Sequence, residues 1–289
     1  MISIFAKRAF LNTNPYSDFV SKEKSYKGNG HLQRVSSMIR ADQIAERIGA
    51  KVNPTEGYEN DVCIYVKPYV RKDQDFKFEG RKSYLDIIDG HNLGNLALKH
   101  PEVGVIVCSD ADYNIMKSVI PNKLVLIPQH HANFERKRIE RDGKIRRVGV
   151  IGEQKAFDYL PMRLEEDLKA RGIELVKYSK FFSRQDIIDF YSNIDLQVVW
   201  RPYYKILSNP LKIVNAASFG VPTIALDELA FKEVESFCVL VTEYEQLLSQ
   251  LDTLLEHPTL YIANSTFCID HSEKYHIGTI STLYKELDI

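Results

Sequence analysis

The sequence predicts an α/β protein of two domains, each an open parallel sheet covered by helices on both faces, the two facing a cleft. Three observations carry this. Apolar runs of strand length alternate with helix-length segments along most of the chain, the pattern of βαβ units. The 289 residues suffice for about two domains of ordinary size. The charge is also split: residues 1–145 carry 23 basic and 18 acidic side chains and residues 146–289 carry 15 and 21, within a net charge of −1. A mildly basic half and an acidic half fit two domains with different partners.

In chain order, the first half offers strands at 2–5, 62–66, 84–88, 103–108 and 124–127. Leu32, Val35, Met38, Ile39, Ile44 and Ile48 recur at helical spacing and predict an amphipathic helix. Residues 11–30 are polar and turn-rich, and a loop that long inside a compact domain is usually a functional or a moving one. Residues 128–146 are polar and dense in charge and read as the connection between the two sheets. The expected domains are therefore 1–133 and 146–272, with a linker at 134–145 and a last helix from Glu273 to Leu287 within 273–289.

The second half is more regular. Strands are expected at 147–151, 174–178, 196–200, 222–226 and 238–241, with helices at 158–171, 184–193, 210–219, 228–236 and 243–256. Gly172 sits where a helix C-cap belongs, and Ser183 with Asp186 forms a capping-box variant. Pro210 suits a first helical turn with Ser208 and Asn209 at its cap, and Gly220 closes that helix before Pro222 opens the next strand.

Composition excludes several classes. At 44% hydrophobic and 27% charged the chain is neither disordered nor a coiled coil. Its balanced charge does not advertise nucleic-acid binding. Cys63, Cys108, Cys238 and Cys268 match neither a zinc spacing nor a disulfide framework, so a reducing cytoplasm is expected. The start is too short for a signal-peptide apolar region, and no apolar run approaches the ~18 residues of a membrane span. Asn264-Ser-Thr would accept a glycan only in a secreted chain.

The most informative stretch runs from Ser208 to Ala225. A helix start after a strand end and a polar loop presents free N–H groups and a positive dipole end, which suit an anion such as a diphosphate. Lys212 falls in that first turn, where a cation is unfavourable without an anion nearby. The run Lys212-x-x-Asn215-Ala-x-x-x-Gly220-Val-Pro222-Thr-Ile-Ala, followed by Glu228 to Glu233-Val234, resembles the donor-binding segment of GT-B fold glycosyltransferases, most of all the family 1 and family 4 group. Upstream, Gly149 and Lys155 stand at the spacing of that group's glycine and lysine, with Val150 in place of its arginine. The positions of its paired acids hold Leu207 and Asn215. The likeness covers roughly residues 146–260.

This resemblance implies two Rossmann-like domains in a GT-B-like arrangement, with the last helix crossing back to the N-terminal domain. It implies metal-independent transfer from a nucleotide-diphosphate sugar to a glycan, lipid-linked or other acceptor, with no cofactor beyond that donor. The donor-binding residues it points to are Lys212, Asn215, Ser208, Asn209, Lys155, Gly152, Arg201 and Glu233, with Arg184 as a second arginine within reach. Cell-surface polysaccharide synthesis in the cytoplasm, peripheral at the inner membrane face, is the implied setting. Two rivals share the fold: a non-catalytic binder of sugar nucleotides or partners, and a nucleotide-sugar epimerase.

In the first half, Asp89-Gly90-His91 lies just past a strand, at the carboxyl edge where ligands of such sheets bind. His91 with Asp89 is the candidate for acid–base work on an acceptor hydroxyl, against the plainer reading of a polar turn. Asp110-Ala-Asp112 has a metal–diphosphate spacing by letter but reads as a helix N-cap with a first-turn acid, and no metal is expected. His130-His131 reads as a hinge. Lys67-Pro68-Tyr69, with Lys22, Lys24 and Lys27, could rim a site for an anionic acceptor or touch a membrane surface; an ordinary solvated face is the alternative.

Overall fold

The computed structural model describes residues 1–6, 35–68, 70, 76–88, 90–179, 183–203 and 206–289, with the backbone alone at His91 and Lys155. It divides into two compact units. Met1–His130, Lys205–Asn209 and Ile277–Ile289 form the first; His131–Tyr204 and Pro210–His276 form the second. The expected linker thus belongs to the second unit, where Arg141 donates to the carbonyls of Ile194 (2.7 Å) and Phe219 (3.2 Å). Asn133, just before the expected linker, donates to the Ser218 carbonyl at 2.7 Å and to the Lys137 carbonyl within it at 3.0 Å.

In the first unit β1 (Ile2–Ala6), β2 (Lys51–Val52), β3 (Val62–Val66), β4 (Lys82–Asp86), β5 (Gly104–Val107) and β6 (Leu124–Leu126) build one parallel sheet in the order β2-β1-β3-β4-β5-β6. Its central strands are apolar and buried, as a sheet covered on both faces requires. β2 escapes the sequence pattern because two residues show no period. β4 begins and ends two residues before the stretch expected from its isoleucines. Ile88 has φ 41°, a conformation that a β-branched residue adopts only under constraint and that ends the strand.

The helical segment expected from Leu32 is described from Val35. It passes through a π-turn at Met38–Asp42 into α1 (Gln43–Ile48). That turn carries Arg40 inward, only 1% exposed, where it pairs with Asp86 and donates to the Ile127 carbonyl at 3.0 Å. α2 (Gly94–Lys99) and α3 (Asp110–Lys117) follow. The N-cap of α3 is Ser109, not Asp110: its hydroxyl accepts the Asp112 N–H at 3.0 Å and leaves both aspartates in the first turn. The C-terminal helix Ile277–Glu286 packs on α1, with Tyr284 beneath Arg40 at 5.7 Å.

The second unit has β7 (Arg147–Ile151), β8 (Glu174–Tyr178), β9 (Leu196–Val199), β10 (Thr223–Leu226) and β11 (Val239–Val241), all parallel, in the order β11-β10-β9-β7-β8. Its helices are α4 (Leu164–Ala170), α5 (Arg184–Ser192), α6 (Leu211–Ser218), α7 (Tyr244–Glu256) and α8 (Pro258–Ser272). α4 starts six residues later than expected, after Pro161, whose carbonyl accepts the Leu164 N–H at 2.9 Å. The capping box of α5 is present, with the Ser183 N–H donating to Asp186 at 2.7 Å. The stretch expected as a helix at 228–236 is a 3-10 run, Leu229–Phe237.

α8 is absent from the sequence reading, and its pattern explains why. It buries Tyr261, Ser265 and Cys268 yet exposes Leu260, Ile262 and Phe267, so no single apolar stripe marks it. The single helix expected from Glu273 is broken at His276, whose extended backbone separates a turn at Glu273–Tyr275 from Ile277–Glu286. Among the described residues no helix is long and apolar enough to cross a membrane.

Candidate functional site

The order of the second sheet points to a candidate site. From β7 the chain goes to β8 on one side and then to β9 on the other, so the loops leaving β7 and β9 diverge at a topological switch point. Ligands of open α/β sheets bind in that crevice, outside the carboxyl ends of the strands.

Two residues on the sequence-derived donor list meet there. Gly152 follows β7 directly, and its N–H donates to the Tyr178 carbonyl at 3.1 Å. Lys212 is the second residue of α6, the helix that follows the loop from β9, and the side chain is exposed. Its Nζ lies 3.1 Å from the point where a β-carbon on Gly152 would stand. The ammonium therefore reaches across the switch point. The first turn of α6 contains no acidic residue, so the positive helix end and the lysine add their charge at one place. Lys155 belongs to the 3-10 turn Gln154–Ala156, whose Ala156 β-carbon lies 2.9 Å from the point where a β-carbon on Gly152 would stand.

The cap of α6 differs from expectation. Pro210 occupies the N-cap position, without a side-chain cap bond, and the helix begins at Leu211. Ser208 and Asn209 belong to the first unit. The Ser208 N–H donates to Asp112 at 3.0 Å and its carbonyl accepts from Ser109 at 2.8 Å. These bonds engage Ser208 through its backbone, away from the helix cap.

Other expected donor residues have protein partners. Asn215 Oδ1 accepts the Ala132 N–H at 2.7 Å. Arg201 makes a two-pronged ion pair with Glu228, its Nε donating at 3.0 Å, and its guanidinium lies 5.7 Å from the Tyr203 ring centroid. Arg184 donates to Glu135 and to the Ala132 carbonyl. The guanidinium beside it holds the Glu135 carboxyl below the usual carboxylate range against the opposing effect of burial. Glu233 is half-buried in the 3-10 run.

The departures from the resembling pattern have structural causes. Leu207, at one acid position, is a core residue of the first unit, packed with Leu85 and Val105. Val150, at the arginine position, lies in the second unit's core. Gly149 is inside β7, where a β-carbon would come within 2.5 Å of Ile194, so it is a packing glycine rather than a loop glycine.

At the carboxyl edge of the first sheet, the turn after β4 leads into a 3-10 turn at His91–Leu93. Asp89 lies outside the described residues, as do Tyr69 and the loop with Lys22, Lys24 and Lys27. Lys67 is held in a left-handed conformation (φ 43°), with its N–H donating to the Asp86 carbonyl at 2.8 Å. His130 and His131 lie on either side of the boundary between the units and are both buried. His130 Nε2 lies 3.0 Å from the Ile39 carbonyl, and the ring of His131 is 5.4 Å from that of His276.

Two features of the second unit went unread. Tyr159 and Tyr203, on the loops leaving β7 and β9, pack their half-exposed rings at 4.9 Å. Gln197 sits fully buried in the middle of β9. The available signal for the latter was a polar amide in the apolar run Leu196-Gln-Val-Val-Trp200.

No family model matches the chain, and a search of curated proteins finds no match. Solved structures do match. The structure of HepE from Anabaena, in complex with UDP and glucose, superposes with a TM-score of 0.60 at 11% identity over 99% of this chain and 98% of that one. WaaG, a glycosyltransferase involved in lipopolysaccharide biosynthesis, gives 0.58 at 8% identity over 100% and 99%. TarM gives 0.58 at 14% identity over 78% of this chain and 54% of its own, so the chain spans about half the length of TarM. With its two parallel sheets of six and five strands, the chain has the GT-B fold that it shares with these solved structures.

Proposed function

We propose that this chain is a glycosyltransferase that moves a sugar from a nucleotide-diphosphate sugar to a glycan or lipid-linked acceptor without a metal ion. The observation that carries this reading is the ammonium of Lys212 beside Gly152 at the switch point, on the first turn of a helix. Breaking the glycosidic bond builds negative charge on the departing diphosphate. A lysine and a helix N-terminus already aimed at that position stabilise the charge as it develops, without reorganising. In this reading Gly152 leaves room for the phosphates and Lys155 supplies a second cation from the adjoining turn. Arg201 contributes only on releasing Glu228, and Asn215 through the part of its amide not used on Ala132. Ser208 fixes the approach to α6, and Asn209 and Glu233 border the donor.

On the acceptor side the turn bearing Asp89 and His91 supplies the base. An imidazole there takes the acceptor proton as the new bond forms, and the neighbouring carboxylate steadies the cation. HepE, solved with UDP and glucose, supports the donor class. The cytoplasmic face of a membrane is the setting that this chemistry and the sequence composition favour.

A second reading, a sugar-nucleotide binder without catalysis, is favoured by the partners already held by Arg201 and Asn215. The two separate in one experiment: incubation with a panel of nucleotide sugars, with and without glycan or lipid-linked acceptors, measuring free nucleoside diphosphate. A transferase releases it in an acceptor-dependent way. A binder raises the melting midpoint by mass action and releases none. Interconversion of the sugar while still attached to its nucleotide would instead identify an epimerase.

A further inference from the structure

A parallel strand buried on both faces is normally a continuous apolar run, yet β9 carries Gln197 at 0% exposure. An amide taken out of water costs several kcal/mol unless its hydrogen bonds are replaced. Here they are replaced, and all within the same small network. Gln197 Nε2 donates to the Lys212 carbonyl at 3.1 Å and to Thr223 Oγ1 at 3.1 Å. Gln197 Oε1 accepts from the Tyr191 hydroxyl at 2.9 Å. The single proton of that hydroxyl also faces the Lys212 carbonyl, at 3.2 Å. Only one orientation of the amide satisfies this arrangement, because a flipped one would set its oxygen against the Lys212 carbonyl oxygen.

Tyr191 is as deeply placed. Its ring stacks on Phe219 at 5.8 Å and meets Phe190 edge-on at 5.0 Å. Burial pushes its phenol well above the usual tyrosine range, so it stays a donor at any physiological pH. Two side chains, Tyr191 from α5 and Gln197 from β9, therefore converge on one backbone carbonyl in the first turn of α6, and Thr223 of β10 braces the amide. The residue that owns this carbonyl is the one whose ammonium crosses to Gly152.

We infer that Gln197 and Tyr191 are positioning residues that hold the first turn of α6 so that Lys212 meets the donor diphosphate, an inference that rests on the donor-site reading above. The lysine stem is flexible, so its root is the part the fold can fix. A helix carbonyl has two lone pairs, of which the helix uses one. The network engages this carbonyl from the sheet side and stops the first turn from sliding along β9. A displacement of about 1 Å at such a root is enough to weaken a charge-assisted contact.

The test is a double-mutant cycle read by calorimetric binding of UDP, with GDP, ADP and dTDP as further probes, and by melting temperature. Tyr191→Phe removes the hydroxyl alone, and Gln197→Met removes the amide at similar volume. With Lys212 present, each should weaken nucleotide binding by about 3- to 10-fold. In the Lys212→Ala background neither should weaken it further, because the group being positioned is gone. Equal losses in both backgrounds, or falling melting temperatures with unchanged affinity, would overturn the inference. Should Gln197→Met fail to fold, Tyr191→Phe decides alone. A Lys212→Ala variant that binds nucleotide as before, or binding of none of the four probes by the unmodified protein, would instead overturn the donor-site reading and the inference with it.

Discussion

Lys212 Nζ stands 3.1 Å from the point that a β-carbon on Gly152 would occupy, although the two are 60 positions apart in sequence. The glycine is what lets the ammonium approach the end of β7. In Gly152→Ala the added methyl meets Lys212 Nζ at that distance and the Ala156 methyl at 2.9 Å. The lysine, as the flexible partner, moves, whereas the Ala156 methyl gives way only if the turn Gln154–Ala156 shifts. UDP affinity measured by calorimetry should fall, with a modest drop in melting temperature from the shifted turn; an unchanged affinity would show that the ammonium need not occupy this place.

Lys212→Ala should leave the fold intact, and could steady the free protein by a few tenths of a kcal/mol by removing a cation from a helix start. Binding of UDP should weaken by about 1.5–3 kcal/mol, the worth of a charge-assisted hydrogen bond, whereas uridine should bind as before. A destabilised protein with normal UDP affinity would mark Lys212 as an ordinary surface residue.

His91→Ala should lower acceptor-dependent release of nucleoside diphosphate by the ~10²–10⁴ typical of a lost acid–base group. The melting temperature should hold. Near-normal turnover from a much less stable protein would assign His91 to shaping its turn.

Arg40 and Asp86 are 1% and 0% exposed and bonded to one another. Arg40→Met leaves a carboxylate without its cation in the core and should cost about 3–5 kcal/mol in urea unfolding. Adding Asp86→Leu to it should recover much of that loss, because the uncompensated charge is then gone. If the double variant is as unstable as the single, the pair contributes more than mutual neutralisation.

Asp61 accepts from Ser3 at 2.7 Å and from Lys51 at 2.9 Å. Burial pushes its carboxyl up, but these two bonds outweigh burial and hold it below the usual range. A carboxyl lowered in the folded state contributes stability that is complete above its unfolded value of about 3.9 and is lost as pH falls toward the folded one. Asp61→Asn should therefore unfold along a shallower pH slope below about pH 4, measured by circular dichroism. An unaltered slope would assign the acid sensitivity to other carboxyls.

The second unit was the more legible in sequence, and the reason is local. β7 and β8 coincide with their apolar runs, and α5 and α6 begin and end within one residue of expectation, because strand period, Pro210 and Gly220 act within a few residues. Gly172 and Gly220 adopt the positive φ that their places after helices require. α8 was illegible because its exposed Leu260, Ile262 and Phe267 blur the stripe on which the reading depends. Of the residues proposed to serve the donor, Lys212 was legible from helix electrostatics and a motif, whereas Gln197 and Tyr191, proposed to position it, were not.

Sequence alone determined the α/β class, the parallel order implied by alternating strands and helices, and the lysine at a helix start, since each follows from residues within one element. Tertiary structure decided what those residues face. It put Leu207 in a core, paired Arg201 with Glu228, bound Asn215 to Ala132, and brought Gly152 beneath Lys212. Partners separated by 27 to 83 residues meet only when the strand order is set, and the strand order is fixed by packing both faces of a sheet at once.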